Sequence, residues 1–408
     1  MTTYSRIQIL RRLVAAAVLV TAATACNMTV TNPGPLQDDA LNTPSAMPAL
    51  VNGMSGNLST ALGDFAVRHG LASGEFVESG NYADEAQYYF GTFGPVNVNT
   101  DWANMQRARW TSENGLERMK TVLGSSFESN ADTPRAYLYA GFANRLLGEV
   151  SCSAVIDGGP IESDSVYFQR ADSLFTRAYT LATTLNNTNV KNAALAGRAS
   201  VRAWLGNWTG AVADATLVPS NFIFNAIYGT GSTIENNDVA TETVSRREVT
   251  VWGTQWATMF KDPRVPWDTV KTGSSITKGQ DGKTNFFRQT KYTALGSSIP
   301  LVKGSEMLVL RAEAALRAGD IPGMTTLLNQ ARATYTGLTP LTAPATTAAA
   351  WTLLQTERGA TTWLEGRRLW DLRRWYAEGT NTFLNGRNKC IPPSDNEVNS
   401  NPNLRSNK

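Results

Sequence analysis

The stretch ERGATTWLEGRRLWDLRRW, Glu357 to Trp375, crowds Arg358, Arg367, Arg368, Arg373 and Arg374 together with Glu357, Glu365, Asp371 and three tryptophans. Three kinds of chemistry suit such a segment: grip on a phosphate backbone, acid–base catalysis by carboxylates, or the pinning of a scaffold by buried ion pairs. Placed on a helix, Glu365 can reach Arg368, Arg367 can reach Asp371, and Asp371 can reach Arg374. Ala360, Trp363, Leu364, Trp370 and Trp375 then gather toward one broad side. Locally paired arginines among aromatics that favour burial predict a scaffold helix. A phosphate-binding face would leave unpaired Lys and Arg along one side. Neighbouring arginines depress carboxyl pKa values, and a general acid needs the opposite. A glycoside hydrolase needs only two carboxylates, so a surface hydrolase stands as the less favoured alternative.

Other reactive types are scarce. His69 is the only histidine, so no two-His or Cys-His zinc spacing exists. Its surroundings, AVRHGLAS, hold no nucleophile-elbow pattern, and it reads as a surface or loop residue. GSSITKGQDGKT lacks the apolar strand that precedes a phosphate-binding loop, and no calcium-loop spacing is evident. No catalytic residue, metal site or cofactor is expected.

Binding chemistry is better represented. A sugar offers apolar C–H faces and a rim of hydroxyls, which a receptor matches with aromatic platforms and polar edge groups. Two loop stretches have that composition. SGNYADEAQYYFGTF supplies Asn81, Tyr82, Gln87, Tyr88 and Tyr89; VWGTQWATMFKDPRVPW supplies Trp252, Gln255, Trp256 and Trp267. Asn81, Tyr82, Tyr88, Tyr89, Trp252 and Trp256 form the candidate ligand-binding set. Trp252 and Trp256, four apart, can alternatively share a helix face in the core. Trp204, Trp363, Trp370 and Trp375 sit on helical segments and are expected inside.

The N-terminus carries Arg6, Arg11 and Arg12, then LVAAAVLVTAATA, then Cys26. This reads as a signal peptide over 1–25 ending in a lipobox-like Ala23-Thr24-Ala25-Cys26, with Cys26 the expected site of acylation. Asn27 follows the cysteine instead of Asp, which favours the outer membrane of a Gram-negative cell. The chain has 37 Lys+Arg and 34 Asp+Glu; without the leader's three arginines the counts are 34 and 34. A neutral exported chain has no bulk pull on nucleic acid. Cys152 and Cys390 remain; export permits a bridge between them, and two buried thiols are the alternative.

Behind these residues must stand a frame. Residues 26–45 read as a tether, Met47–Gly63 as a first helix, the following glycine- and aromatic-rich stretch to Thr100 as ordered loop, and 102–123 as helix. The segments GFANRLLGEV, ASVRAWLGNW and AEAALRAGDI then share a grammar. Each has a small residue (Gly141, Ala199, Ala312) seven positions before a glycine (Gly148, Gly206, Gly319). The small residue admits a second helix closely, and the glycine closes the helix in the left-handed conformation. Further helices follow each. The reading is mainly α: a single domain over 46–408, with a tetratricopeptide-like helical-hairpin scaffold over about 134–218 and 304–377. The Gly-, Thr- and Asn-rich residues 219–300 form a long irregular loop insertion, the kind of segment that carries function on a rigid frame. The closing IPPSDNEVNSNPNLRSNK has too many Pro and Asn for a helix.

In order, VLRAEAALRAGD, LLNQAR…TGL, ERGATTWLEGRRLWDLRRW and IPPSDNEVNSNPNL resemble the C-terminal half of the SusD/RagB family of surface glycan- or nutrient-binding lipoproteins. The matching positions are Arg311, Glu313, Asn329, Arg332, Glu357, Arg358, Glu365, Gly366, Arg368, Asp371, Leu372, Arg374, Trp375, Glu397, Asn401 and Pro402. KDPR at Lys261–Arg264 and the early TNPG are also family-like, while Lys303 stands where an Arg is frequent. The resemblance implies a SusD-like fold and a ligand surface of loops beside the frame. It also implies a lipid-anchored outer-membrane protein, exposed at the cell surface. There it would sit as a lid on a SusC-like TonB-dependent barrel and deliver a glycan or peptide for import. A repeat-based envelope adaptor is the competing reading.

Overall fold

In the computed structural model, residues 38–259 and 261–405 are described. Cys26, with the signal and the tether up to residue 37, lies outside them. A short 3-10 helix, Asp38–Leu41, belongs to an N-terminal unit of its own; a second compact unit begins at Asn42.

Helix α1 spans Met47–Ala72, nine residues beyond the expected Gly63. Gly63 does not stop it because Cβ-less backbone is needed there: a Cβ would lie 2.8 Å from the Asp238 carboxylate. His69 is therefore helical and buried, not a loop residue. It stacks on Phe65 at 3.8 Å, and burial keeps it neutral by holding its pKa well below the usual value. A short helix α2, Ala83–Phe90, lies in what reads as loop; it buries only Glu85 and Tyr88 and so shows no apolar period. Helix α3 covers Asn99–Leu123.

The frame follows as α4 (Thr133–Val150), α5 (Ser165–Thr184), α6 (Thr188–Trp204), α7 (Trp208–Thr216), α8 (Gly304–Arg317), α9 (Ile321–Arg332), α10 (Thr347–Thr361) and α11 (Arg368–Ala377). Each of α4 to α9 packs on the next, and α8 also packs on α10. Because α7 meets α8, the stack is continuous in space although 219–300 interrupt it in the chain. The insertion is closed at its base by antiparallel pairing of Ile223–Ala226 with Ile299–Lys303.

The glycine grammar holds at two of its three sites. Gly206 (φ 77°) and Gly319 (φ 81°) close α6 and α8. Gly148 instead lies inside α4, where a Cβ would come within 2.9 Å of the Phe168 ring; the glycine serves close packing, not termination. Gly141 admits Phe175 in the same way.

Residues 357–375 are not one helix. Leu364 (φ 56°) and Gly366 (φ 69°) turn the chain between α10 and α11. The local pairing expected from helical spacing therefore fails, except for Asp371 with Arg374 at 3.5 Å. The partners come from afar. Glu357 takes Arg264 (2.6 Å) and Arg332 (2.7 Å); Arg358 takes Glu306 (3.0 Å) and Asp371 (2.8 Å). Arg367 joins Glu149 and Glu306, Arg373 joins Asp164, and Arg374 joins Glu313. Glu365 binds Lys291 and Lys303 rather than Arg368. Charges this buried require such partners, since removing one leaves the other desolvated and alone. Trp363, Trp370 and Trp375 fill the spaces between them with no exposure, and Trp204 is half-buried against Trp370.

Cys152 and Cys390 form a disulfide. It fastens the C-terminal segment to the end of α4, where Ile391 also exchanges backbone hydrogen bonds with Val150 and Cys152. That segment is not wholly irregular: helical turns form at Asp395–Ser400 and Pro402–Arg405. Ser394 caps the first by accepting from Glu397 N, and Asn401 ties it down through Gly159 O.

Candidate functional site

Both aromatic stretches singled out in the sequence meet on one shelf. Val77–Glu78 pairs antiparallel with Val249–Thr250, and Ser79 N and Asn81 N donate to Glu248. Thr250 Oγ1 knits the second stretch together: it donates to Asn285 O (3.0 Å) and accepts from Trp252 N (3.1 Å) and Phe287 N (2.8 Å). The pairing of Trp267–Thr269 with Phe287–Gln289 stacks Trp267 on Phe287 at 4.8 Å.

The candidate residues divide into two groups. Asn81 and Tyr82 are exposed, with the Arg246 guanidinium 4.7 Å over the Tyr82 ring. Trp252 is 39 % exposed, and Tyr89 is half-buried. Tyr88 and Trp256 belong to the core and leave the ligand-facing set. Tyr88 points inward from α2, stacks on Phe93 and donates its hydroxyl to Asp101. Trp256 is carried inward by the 3-10 helix Gln255–Thr258 and lies beneath Arg368. The Gly253 turn (φ 82°) sends Trp252 and Trp256 opposite ways, so neither a shared helix face nor a shared ligand face results.

Beside the shelf opens a cavity of about 400 Å³. Tyr89, Phe90 and Phe383 form its aromatic side, Thr254 and Gln255 a polar edge, and Arg368 and Arg387 its charge. Sequence reasoning missed Arg387 and assigned Arg368 to a local pair. The signal for Arg387 is its place after Phe383 in a Gly- and Asn-rich loop, which only the fold brings to α2.

Carboxyl groups near the shelf are hard to ionise. Burial pushes Glu85 up to about 7, with Arg68 opposing and Glu248 adding to the rise, and Glu242 up to about 8, raised further by Glu85 and Glu248. Glu75 is pushed to about 7 by burial, against the Leu364 N–H that it accepts. In the frame the balance reverses at Glu313, which Arg374 and Arg317 hold at about 2 despite burial. The expected depression does not extend to Asp371: burial raises it, outweighing Arg358 and Arg374.

A larger groove, about 690 Å³, runs between α3, α4 and α5 and exposes Trp110 beside Phe127 and Tyr137. Part of its charge is paired: Arg109 with Glu113 and Asp157, and Arg170 with Glu113, while Glu117 and Lys120 also line it. The shelf cavity differs in presenting guanidinium groups without carboxylates. Among the described residues no group of His, Cys, Asp and Glu could hold a metal, and no helix is long and apolar enough to cross a membrane.

A stacked helical-hairpin frame carrying a loop shelf defines a SusD-type fold. Residues 223–408 match the model of the SusD family. The similar solved structures share the fold at low identity. A laminarin-binding SusD-like protein is 13 % identical, with 88 % of this chain and 99 % of that one covered and a TM-score of 0.69. A SusD superfamily protein from Bacteroides vulgatus is 16 % identical over 88 % and 97 %, with a TM-score of 0.64. Surface glycan-binding protein A from Bacteroides uniformis is 13 % identical over 89 % and 99 %, with a TM-score of 0.60. No curated protein matches the sequence.

Proposed function

We propose that the protein captures an oligosaccharide at the cell surface and passes it to a SusC-like TonB-dependent barrel for import. It would be held in the outer membrane by lipid on Cys26. The observation that carries this reading is the convergence of two sequence-distant aromatic stretches on one shelf: Tyr82 and Trp252 are exposed, and Tyr89 and Phe90 of the first stretch line one cavity with Gly253, Thr254 and Gln255 of the second. An exposed ring stacks on the C–H face of a pyranose, while Asn81, Thr254 and Gln255 suit its hydroxyl rim. The match of residues 223–408 to the SusD family model and the fold shared with a laminarin-binding and a glycan-binding protein support the ligand class. The lipobox-like Ala23-Thr24-Ala25-Cys26 supports the anchor. Capture for delivery calls for modest affinity and fast release.

Affinity electrophoresis against immobilised glycans tests the capture step, and purification from membranes in mild detergent tests the partner. Retardation by at least one glycan and co-purification of a large barrel protein are expected. A folded protein that binds no oligosaccharide or peptide would favour the adaptor instead. Turnover of a bound oligosaccharide would favour a hydrolase.

A further inference from the structure

The geometry points to an acidic glycan as the captured ligand: the shelf cavity is built to take the oxyanion of a charged sugar, a uronate or a sulfated residue. This rests on the glycan-capture reading above and narrows its substrate class.

No aspartate or glutamate lines the cavity, whereas two arginines do. Arg368 is the exception within its own segment. Arg358, Arg367, Arg373 and Arg374 each have a carboxylate within ion-pair distance, and Arg368 has none among the described residues. It is 7 % exposed, yet its guanidinium makes one hydrogen bond, from Nε to Ser73 O at 3.2 Å, and otherwise lies over the Trp256 ring at 4.7 Å. Burial lowers its pKa, with Glu75 and the more distant charge of Asp371 only partly offsetting the cost. Glu75 is a weak counterion because its Oε1 accepts from Leu364 N and its own charge is suppressed up to about pH 7.

Arg387 repeats the pattern. Its Nη2 donates to the carbonyls of Ala72, Tyr88 and Tyr89, its guanidinium lies 5.2 Å from the centre of the Phe383 ring, and no carboxylate among the described residues pairs with it. A positive charge desolvated without an anion is held at a cost that an arriving anion repays, and a guanidinium fork matches carboxylate and sulfate oxygens. The aromatic side fits the rest of the ligand. Phe90 is 60 % and Phe383 39 % exposed, surfaces that a pyranose C–H face can cover.

The test is titration calorimetry of the mature protein with three oligosaccharides of equal length: an oligogalacturonate, a sulfated galactan fragment and a neutral laminarin fragment. R387Q and R368Q are titrated beside the parent. One of the two acidic ligands should bind about ten-fold or more tightly than the neutral one at low salt, and the preference should shrink as salt rises. It should fall to within about three-fold in either variant, while neutral-ligand affinity stays put. R387Q alters a half-exposed loop position and keeps the test valid where R368Q does not fold. Equal binding of neutral and acidic ligands, or a preference surviving both variants, would overturn the inference and leave glycan capture standing. Binding of no glycan by the folded protein would remove both. Tighter binding of a peptide with a free C-terminal carboxylate would also overturn it.

Discussion

The α10–α11 segment of the frame and the loop shelf are both rich in charge and aromatics, and they use them in opposite ways. In the frame, Arg358, Arg367 and Arg374 are buried against Glu306, Glu149 and Glu313, and tryptophans seal the gaps. On the shelf, Arg368 has no carboxylate within ion-pair distance among the described residues, and Tyr82 and Trp252 remain open. Composition does not separate the two regions; the pairing of the arginines with carboxylates does. A closed network has nothing left to offer a ligand. An unfinished one keeps charge and aromatic surface in reserve.

The contrast can be broken most forcefully in the frame. Arg358→Ala leaves Glu306 and Asp371 without their shared cation, and a loss of about 3–5 kcal/mol in chemical denaturation is expected. A loss below about 1 kcal/mol would mean the network is not what holds the frame. Next comes the disulfide: Cys152→Ser should cost about 2–5 kcal/mol, matched in the parent by reduction.

The pH response should separate the regions by sign. Glu85 and Glu242 have folded pKa values raised from 4.5 to about 7 and about 8, so the folded state holds protons that the unfolded chain has released. Their contribution is complete below about pH 4.5 and is lost as pH rises to 8, by at most about 1.4 kcal/mol per pH unit for each group. Glu313, depressed from 4.5 to about 2, behaves inversely: its contribution is present above 4.5 and lost as pH falls toward 2. With the base-catalysed rise in intrinsic exchange divided out, amide protection between pH 6 and 8 should therefore fall at residues 77–90 and 241–250 while α8 and α11 stay protected. A uniform loss of protection would dissolve the distinction.

Smaller effects sharpen it. Trp252→Ala should leave stability within about 0.5 kcal/mol and weaken glycan binding by about 0.5–1.5 kcal/mol. Trp110→Ala, in the larger groove, should change neither.

The frame was legible in the sequence because its signals are local. Helix-closing glycines at Gly206 and Gly319 and the small residues before them lie within about two turns of each other. Gly148 misled because a glycine that admits the Phe168 ring and one that ends a helix look alike in a string. The ion pairs were foreseen as to type and missed as to partner. Leu364 and Gly366 turn the chain, and Glu149, Glu306 and Glu313 are supplied by other helices. The shelf was half legible. Aromatic-polar composition marked both stretches, but which ring faces outward depends on the inward register of α2 for Tyr88 and on the Gly253 turn for Trp256. Arg387 enters the cavity only through tertiary packing, which no spacing in its own loop encodes.

The most direct trial of the shelf as the place of capture is hydrogen–deuterium exchange of the protein with and without the oligosaccharide that binds best. Protection confined to residues 75–98, 246–290 and 383–388 is the predicted result. Protection on α3, α4 and α5 around Trp110, with the shelf unchanged, would contradict it.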